Sequence, residues 1–92
     1  MKRVFKYQLP LTDFFELELP EGAVILTAQE QGQAVFVWAL VDPLARTKLL
    51  YFRLTGTGHA IDDHEDAEYK YIGTFQMHDG RLVFHLFEMI PA

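Results

Sequence analysis

Short segments with strand-like alternation, separated by turn signals, run through the whole chain and exclude a long helix. FFELEL, residues 14–19, alternates apolar with acidic side chains, which is the period of two expected when one side of a β-strand faces a core. Asp79-Gly80 lies between two apolar segments, and this pair is among the strongest short signals for a β-hairpin. No long window keeps apolar side chains at helical spacing against a polar opposite side. The sequence therefore predicts an all-β fold.

Seven segments have the length and residue types of β-strands. The chain has 92 residues, 50% of them hydrophobic, which is enough for one core and too short for two. We predict a single domain over residues 1–92, folded as an antiparallel β-sandwich or a small barrel, with at most one short helical turn near Asp62–Ala67. The predicted strands are 2–9, 14–19, 23–30, 34–42, 48–55, 69–77 and 81–89.

Two of these segments, 34–42 and 81–89, are apolar on both faces. In the first, valine and alanine side chains alternate with Phe36, Trp38 and Leu40. One face of an antiparallel sheet in so small a domain is usually in water, so a second apolar face needs a cover. A loop of the same chain or a second copy would supply it, and we expect a homo-oligomer.

Composition excludes several classes of protein. The chain has no cysteine, so disulfides and thiolate chemistry are excluded and a reducing compartment fits best. No signal-peptide pattern and no apolar run of membrane-spanning length occurs, so we expect a cytoplasmic protein without membrane contact. The formal net charge is −5, and no basic patch is present that would indicate direct binding of DNA or RNA.

The segment TGTGHAIDDHEDAEY, residues 55–69, reads as neither a strand nor a tight turn. Its Gly56-Thr57-Gly58-His59 follows a predicted strand, and backbone N–H groups around glycines can form a concave anion site. Arg53 could complete that site with a bidentate contact to phosphate or carboxylate. The alternative is a strand-terminating turn that needs two residues with positive φ. The third glycine and the following helix of a dinucleotide-binding motif are missing.

Five acids of the same segment hold all of the net negative charge. Together with His59 and His64 they could ligate a divalent ion, but their spacing matches no metal-binding motif, so we predict a solvated loop and no metal. His85, between apolar neighbours in a predicted strand, is expected to be a hydrogen-bonded core or interface histidine. The five acids are Asp62, Asp63, Glu65, Asp66 and Glu68.

The residue types give little support for catalysis. The chain contains no serine, no nucleophile-elbow motif and no carboxylate pair on a predicted rigid element. Thr55 and Thr57 near His59 could form a nucleophile and base, but the third group that would orient the base is missing. We therefore predict a protein that is not an enzyme and that has no catalytic residues and no cofactor.

Several motifs in this order resemble a family of small proteins of unknown function found in tailed phages and prophages. They include KYQL, LPEGAVIL, WALVDP, FRLTGTGH and YIGTFQMHDGRLVFHLFE, and the resemblance covers nearly the whole chain. Its most specific parts are Trp38–Pro43, Gly56–His59 and Tyr71–Gln76. The resemblance implies a phage accessory protein in the host cytoplasm that acts by binding, either by sequestering a nucleotide messenger or by blocking a host defence complex.

The first interpretation is a non-enzymatic protein that counters host defence by binding a small anionic ligand of nucleotide type. Backbone N–H groups of Gly56–His59 and the Arg53 guanidinium would contact its phosphate, and Trp38 or Tyr51 would stack on its base. The alternative is an inhibitor of anti-CRISPR type, whose acids between Asp62 and Glu68 occupy the basic channel of a host nucleic-acid-binding complex. A third possibility is a structural or assembly component of the phage.

Overall fold

Seven antiparallel β-strands form two sheets that pack face to face, and the predicted all-β fold is confirmed as an open sandwich. The computed structural model describes residues 1–62 and 66–91. Within these residues there is no helix, so none is long and apolar enough to cross a membrane. The predicted helical turn ends at Ala67, which is instead the first residue of a strand, and 63–65 lie outside the described residues. The strands are β1 Arg3–Gln8, β2 Phe14–Pro20, β3 Val24–Gln31, β4 Ala34–Val41, β5 Thr47–Gly56, β6 Ala67–Met77 and β7 Leu82–Pro91.

The strand order within each sheet shows which strands lie at its edges. One sheet has the order β1-β4-β3 and the other β2-β5-β7-β6. β3 and β6 meet where a Cβ on Gly73 would lie 3.9 Å from the backbone nitrogen of Ala28. β-Bulges interrupt the register between Ile25 and Thr27 and between Tyr71 and Gly73, so both strands bend near this contact. β2 ends beside the start of β3, because the Ala23 N–H donates to the Pro20 carbonyl at 3.1 Å and Ala23 and Ile25 pack against Leu19.

The core lies between the sheets and follows the predicted alternation. In β4, Val35 and every second residue after it are buried, whereas the residues between them are half-buried. From the other sheet, Phe52 and Leu86 pack against them with no exposed surface. Each such side chain contributes about 1.5–3 kcal/mol on burial. Tyr7 packs against the same core, and burial raises the pKa of its hydroxyl.

The connection between β5 and β6 runs back along the outer face of the four-stranded sheet. Both strands pair antiparallel with β7, so they are parallel to each other, and the chain must return from Gly56 to Ala67. On the way, the Ala60 carbonyl accepts a hydrogen bond from Arg53 Nη2 at 3.4 Å, and the Asp62 carbonyl accepts one from the Tyr69 hydroxyl at 3.0 Å. A loop of the same chain thus contacts the outer face of this sheet at Arg53 of β5 and Tyr69 of β6.

The outer face of β4 differs from that of β7. Phe36, Trp38 and Leu40 are half-buried, and the flanking Val4 and Val24 are exposed. Side chains of the same sheet shield part of this face: the Lys6 ammonium lies over the Phe36 ring, and Phe36 contacts Trp38. The expected homo-oligomer stays a prediction.

Candidate functional site

A row of hydrogen-bonded polar side chains crosses the outer face of the four-stranded sheet. His85 Nε2 lies 2.7 Å from the Thr57 hydroxyl, and His85 Nδ1 lies 2.9 Å from the Thr74 hydroxyl. The Thr74 hydroxyl lies 2.6 Å from that of Tyr71. The register explains part of this row, because His85 is directly opposite Thr74 in the β6–β7 pair. We call Thr57, His85, Thr74 and Tyr71 the polar row.

The polar row confirms that His85 is hydrogen-bonded, and it brings two characteristic sequence segments together. Thr57 comes from the GTGH segment, whereas Tyr71 and Thr74 come from YIGTFQ. Thr57 and His85 have the spacing of a nucleophile and its base, but the third group is the Thr74 hydroxyl rather than a carboxylate. The three hydroxyls are exposed, so the row can offer donors and acceptors to a polar ligand.

Arg53, proposed above as a phosphate ligand, is bonded to backbone carbonyls. Its Nη1 donates to the carbonyl of Asp13 at 3.2 Å and to that of Leu54 at 2.5 Å, and Nη2 donates to Ala60. The side chain is only 8% exposed, and the Phe14 ring lies over the guanidinium at 4.6 Å. Its Nε is buried without a hydrogen-bond partner among the described residues. Arg53 therefore anchors the residue that precedes β2 and the loop after β5.

The GTGH segment forms a turn with one left-handed residue, not the two expected. Gly58 has φ +83°, whereas Gly56 is outside the positive-φ region. The second glycine is explained by a close contact, because a Cβ on Gly56 would lie 3.1 Å from the His59 ring. The N–H groups of Thr57 and His59 donate to the carbonyls of Val83 and Gly56, so neither is available for an anion nest.

Replacing Gly58 with alanine should therefore cost more than replacing Gly56. Alanine at a left-handed position costs about 1–2 kcal/mol, whereas at Gly56 it meets only the exposed His59 ring, which can move away. Urea unfolding of both variants measures the difference. Equal losses in the free energy of unfolding would contradict the assignment of Gly58 as the one left-handed position of this turn.

The remaining predicted ligand-binding residues lie on opposite sides of the molecule. Tyr51 shares the outer face of the four-stranded sheet with the polar row, since it neighbours the inward-facing Phe52. Trp38 lies on the outer face of the three-stranded sheet, beside Phe36. A small ligand bound at the GTGH turn could therefore reach the outer face that carries Tyr51, but it could not contact Trp38.

The structure describes three of the five acids, and all three are exposed. Asp66 and Glu68 are exposed at the start of β6, and Asp62 is exposed in the loop before it. Asp63 and Glu65 lie outside the described residues, as does His64. No three His, Asp or Glu side chains of residues 1–62 and 66–91 come close enough together to hold a metal ion.

A groove on the same outer face was not expected from the sequence. It has a volume of about 690 Å³, within the range of ligand pockets, and an apolar floor that includes Phe14, Tyr51 and Met89. The carboxylate residues Glu16 and Asp66 line its border. We call it the acidic groove. Its residues come from four strands that are distant in the sequence and from a loop. The only sequence signal is that Phe14, Tyr51 and Met89 alternate with inward-facing neighbours in β2, β5 and β7.

Comparison with known proteins places the chain in a family without assigning an activity. No curated protein and no solved structure matches it. One family model, described as a domain of unknown function, DUF7352, matches residues 1–92. Because this match spans residues 1–92, the chain belongs to the DUF7352 family.

Proposed function

We propose that this protein acts by binding a basic segment of another protein in the acidic groove, and that it is not an enzyme. The observation that carries the proposal is the pairing of an apolar floor with carboxylates at the border. Such a groove favours a partner that combines an apolar anchor with lysine or arginine. The formal net charge of −5 would attract the same partner over a longer range.

The charges near the groove favour a cationic partner over a phosphate. Glu16 and Asp66 would repel an anion. Arg53 is the cation nearest to Tyr51 along the outer side of β5, but it is buried and bonded to carbonyls. This supports the alternative interpretation of the sequence, in which acids engage a basic surface of a host complex. Asp66 belongs to both the acidic segment and the groove. In this proposal the protein is a phage accessory protein, and the basic segment lies in a nucleic-acid-binding complex of the host.

A small anionic ligand at the polar row is a second candidate, for one specific reason. Thr57, from the GTGH segment, reaches His85, so the hydroxyls of Thr57 and Thr74 and the His85 imidazole converge. They would take the place of Arg53 as the groups that contact the anion. Tyr71, 57% exposed at the end of the row, offers a ring for stacking.

The first test uses a synthetic peptide that alternates lysine with leucine and phenylalanine, and a second peptide with glutamate in place of lysine. We expect the basic peptide to bind and the acidic peptide not to bind in isothermal titration calorimetry. Asp66→Lys should weaken the basic peptide by about tenfold, because it reverses a charge at the groove border. Glu30→Lys, at an exposed acid on β3, makes the same change of charge elsewhere and should have little effect.

The same experiment separates the two candidates. Equal weakening by both charge reversals would contradict the groove and leave only a general effect of net charge. Titration with inorganic phosphate, followed by NMR of His85 and Thr57, tests the second candidate. Saturable shifts there, together with no binding of the basic peptide, would favour the anion site over the groove.

A further inference from the structure

β2 has one open edge, and the backbone hydrogen bonds around it show which residues point there. β5 pairs with one side of β2, and no strand of the described residues pairs with the other. Just before β2 the Asp13 carbonyl accepts from the Leu54 N–H at 2.9 Å, and just after β2 the Glu21 N–H donates to the Arg46 carbonyl at 2.7 Å. Because the register between them is continuous, the odd-numbered residues of β2 direct their backbone groups to β5, and the even-numbered residues direct theirs to the open edge.

The part of this edge that can pair is short. Glu16 and Glu18 each direct an N–H and a carbonyl toward it. Toward the start of the strand, the Phe14 carbonyl accepts a hydrogen bond from the Thr12 hydroxyl at 3.0 Å. Toward the other end, Pro20 has no N–H to donate. Two residues therefore remain that can exchange backbone hydrogen bonds with an added strand, which suits a short extended segment.

The side chains beside this edge match a segment that alternates basic and apolar residues. Glu16 and Glu18 face outward and are exposed, and residues 13–21 contain four acids and no lysine or arginine. Phe15 and Leu17 face inward but are only half-buried, whereas Phe52, the pairing partner of Phe15, has no exposed surface. Because β5 lies on their other side, Phe15 and Leu17 turn their exposed flank to the edge. A strand placed there with lysine or arginine outward and apolar side chains inward would complement both rows.

We propose that the basic segment bound at the acidic groove adds to β2 as an antiparallel strand, with its lysine or arginine side chains opposite Glu16 and Glu18 and its apolar side chains beside Phe15 and Leu17. This inference rests on the proposed function, because Glu16 belongs both to this edge and to the border of the groove. Backbone hydrogen bonds to the two glutamates contribute affinity, and the alternating side chains contribute specificity. Like charges disfavour pairing of the same edge with β2 of a second copy.

Backbone methylation of the synthetic basic peptide tests the strand pairing. In the antiparallel pair, the peptide residues opposite Glu16 and Glu18 direct their N–H groups to β2, and these residues are the lysines. N-methylation of each lysine should weaken binding in calorimetry by at least about tenfold, because it removes hydrogen bonds and places methyl groups against β2. N-methylation of each apolar residue is the matched control. It should change the affinity little, because those N–H groups point away from β2.

Two substitutions of Glu16 test the same pairing from the side of the protein. Glu16→Gln removes the negative charge and keeps the backbone N–H, whereas Glu16→Pro removes both. The Glu16 N–H points away from β5, so proline at this edge position breaks no hydrogen bond of the sheet. Glu16→Pro should therefore weaken the unmethylated peptide by about tenfold more than Glu16→Gln does. Circular dichroism and melting temperatures show whether both variants are folded.

Amide hydrogen exchange locates the bound strand. Without peptide, the Leu17 N–H should be protected by its bond to β5, whereas those of Glu16 and Glu18 should exchange, and the peptide should slow the exchange of both. Equal effects of the two methylated peptides, with the unmethylated peptide still bound, would overturn the strand pairing and leave the groove as the site. No binding of the unmethylated peptide would overturn the proposed function together with this inference. Protection of Glu16 and Glu18 without peptide would also overturn the inference, because a second copy would then occupy the edge.

Discussion

Replacing Arg53 with alanine is expected to lower the free energy of unfolding by about 2–4 kcal/mol, because one buried and two partly buried carbonyl groups lose charged hydrogen bonds. The guanidinium donates to three carbonyls, just before β2, in β5 itself and in the loop after β5. The contact with the Phe14 ring, 4.6 Å from the guanidinium, would be lost as well. Urea unfolding monitored by circular dichroism measures the change.

Arg46→Ala is the matched control, because it removes the same charge from the surface. Arg46 contacts Glu21 at 2.8 Å, but its side chain is 87% exposed, and an ion pair of this kind contributes about 0–1 kcal/mol. If Arg53→Ala kept full stability and instead abolished phosphate binding, Arg53 would be the anion ligand of the first interpretation. The measurement therefore decides between an anchor and a ligand.

The strands could be predicted because their signals are local. Alternation in β2 and the Asp79-Gly80 hairpin act over a few residues, and the predicted strands agree with the structure within about two residues at most ends. Asp79 and Gly80, the central residues of the turn that the Arg81 N–H closes onto the His78 carbonyl, both have positive φ, as a tight turn of this type requires. The two-sided apolar pattern of 81–89 predicts a cover by a loop or by a second copy, and the loop after β5 contacts the same outer face at Arg53 and Tyr69.

The candidate site could not be predicted because it depends on pairing between distant strands. Alternation tells which side of a strand a residue occupies but not which sheet the strand joins, so the sequence offers Trp38 or Tyr51 as the stacking residue of one ligand although they lie on opposite outer faces. Likewise, β5 and β6 become parallel only because both pair with β7. That crossing brings the loop over Arg53, and no short-range pattern reports it.

The largest single effect on stability is expected at Phe52. Its side chain has no exposed surface, and it stacks on Phe15 with ring centroids 5.1 Å apart and an interplanar angle of 12°. Phe52→Ala removes the ring and leaves a cavity, which typically costs about 3–5 kcal/mol, with the loss of the stacked pair included. A domain of this length is stable by roughly 5–14 kcal/mol, so the variant would lose about a fifth or more of its stability.

Two matched variants show whether the loss comes from the core ring itself. Phe52→Leu keeps most of the apolar volume and should cost clearly less than Phe52→Ala, because the remaining cavity is smaller. Leu44→Ala, at a residue that is 94% exposed, should stay within about 0.5 kcal/mol of the unmodified protein. All three are compared by urea unfolding at one temperature. A cost of Phe52→Ala no larger than that of Leu44→Ala would contradict the packing of the two sheets around this ring.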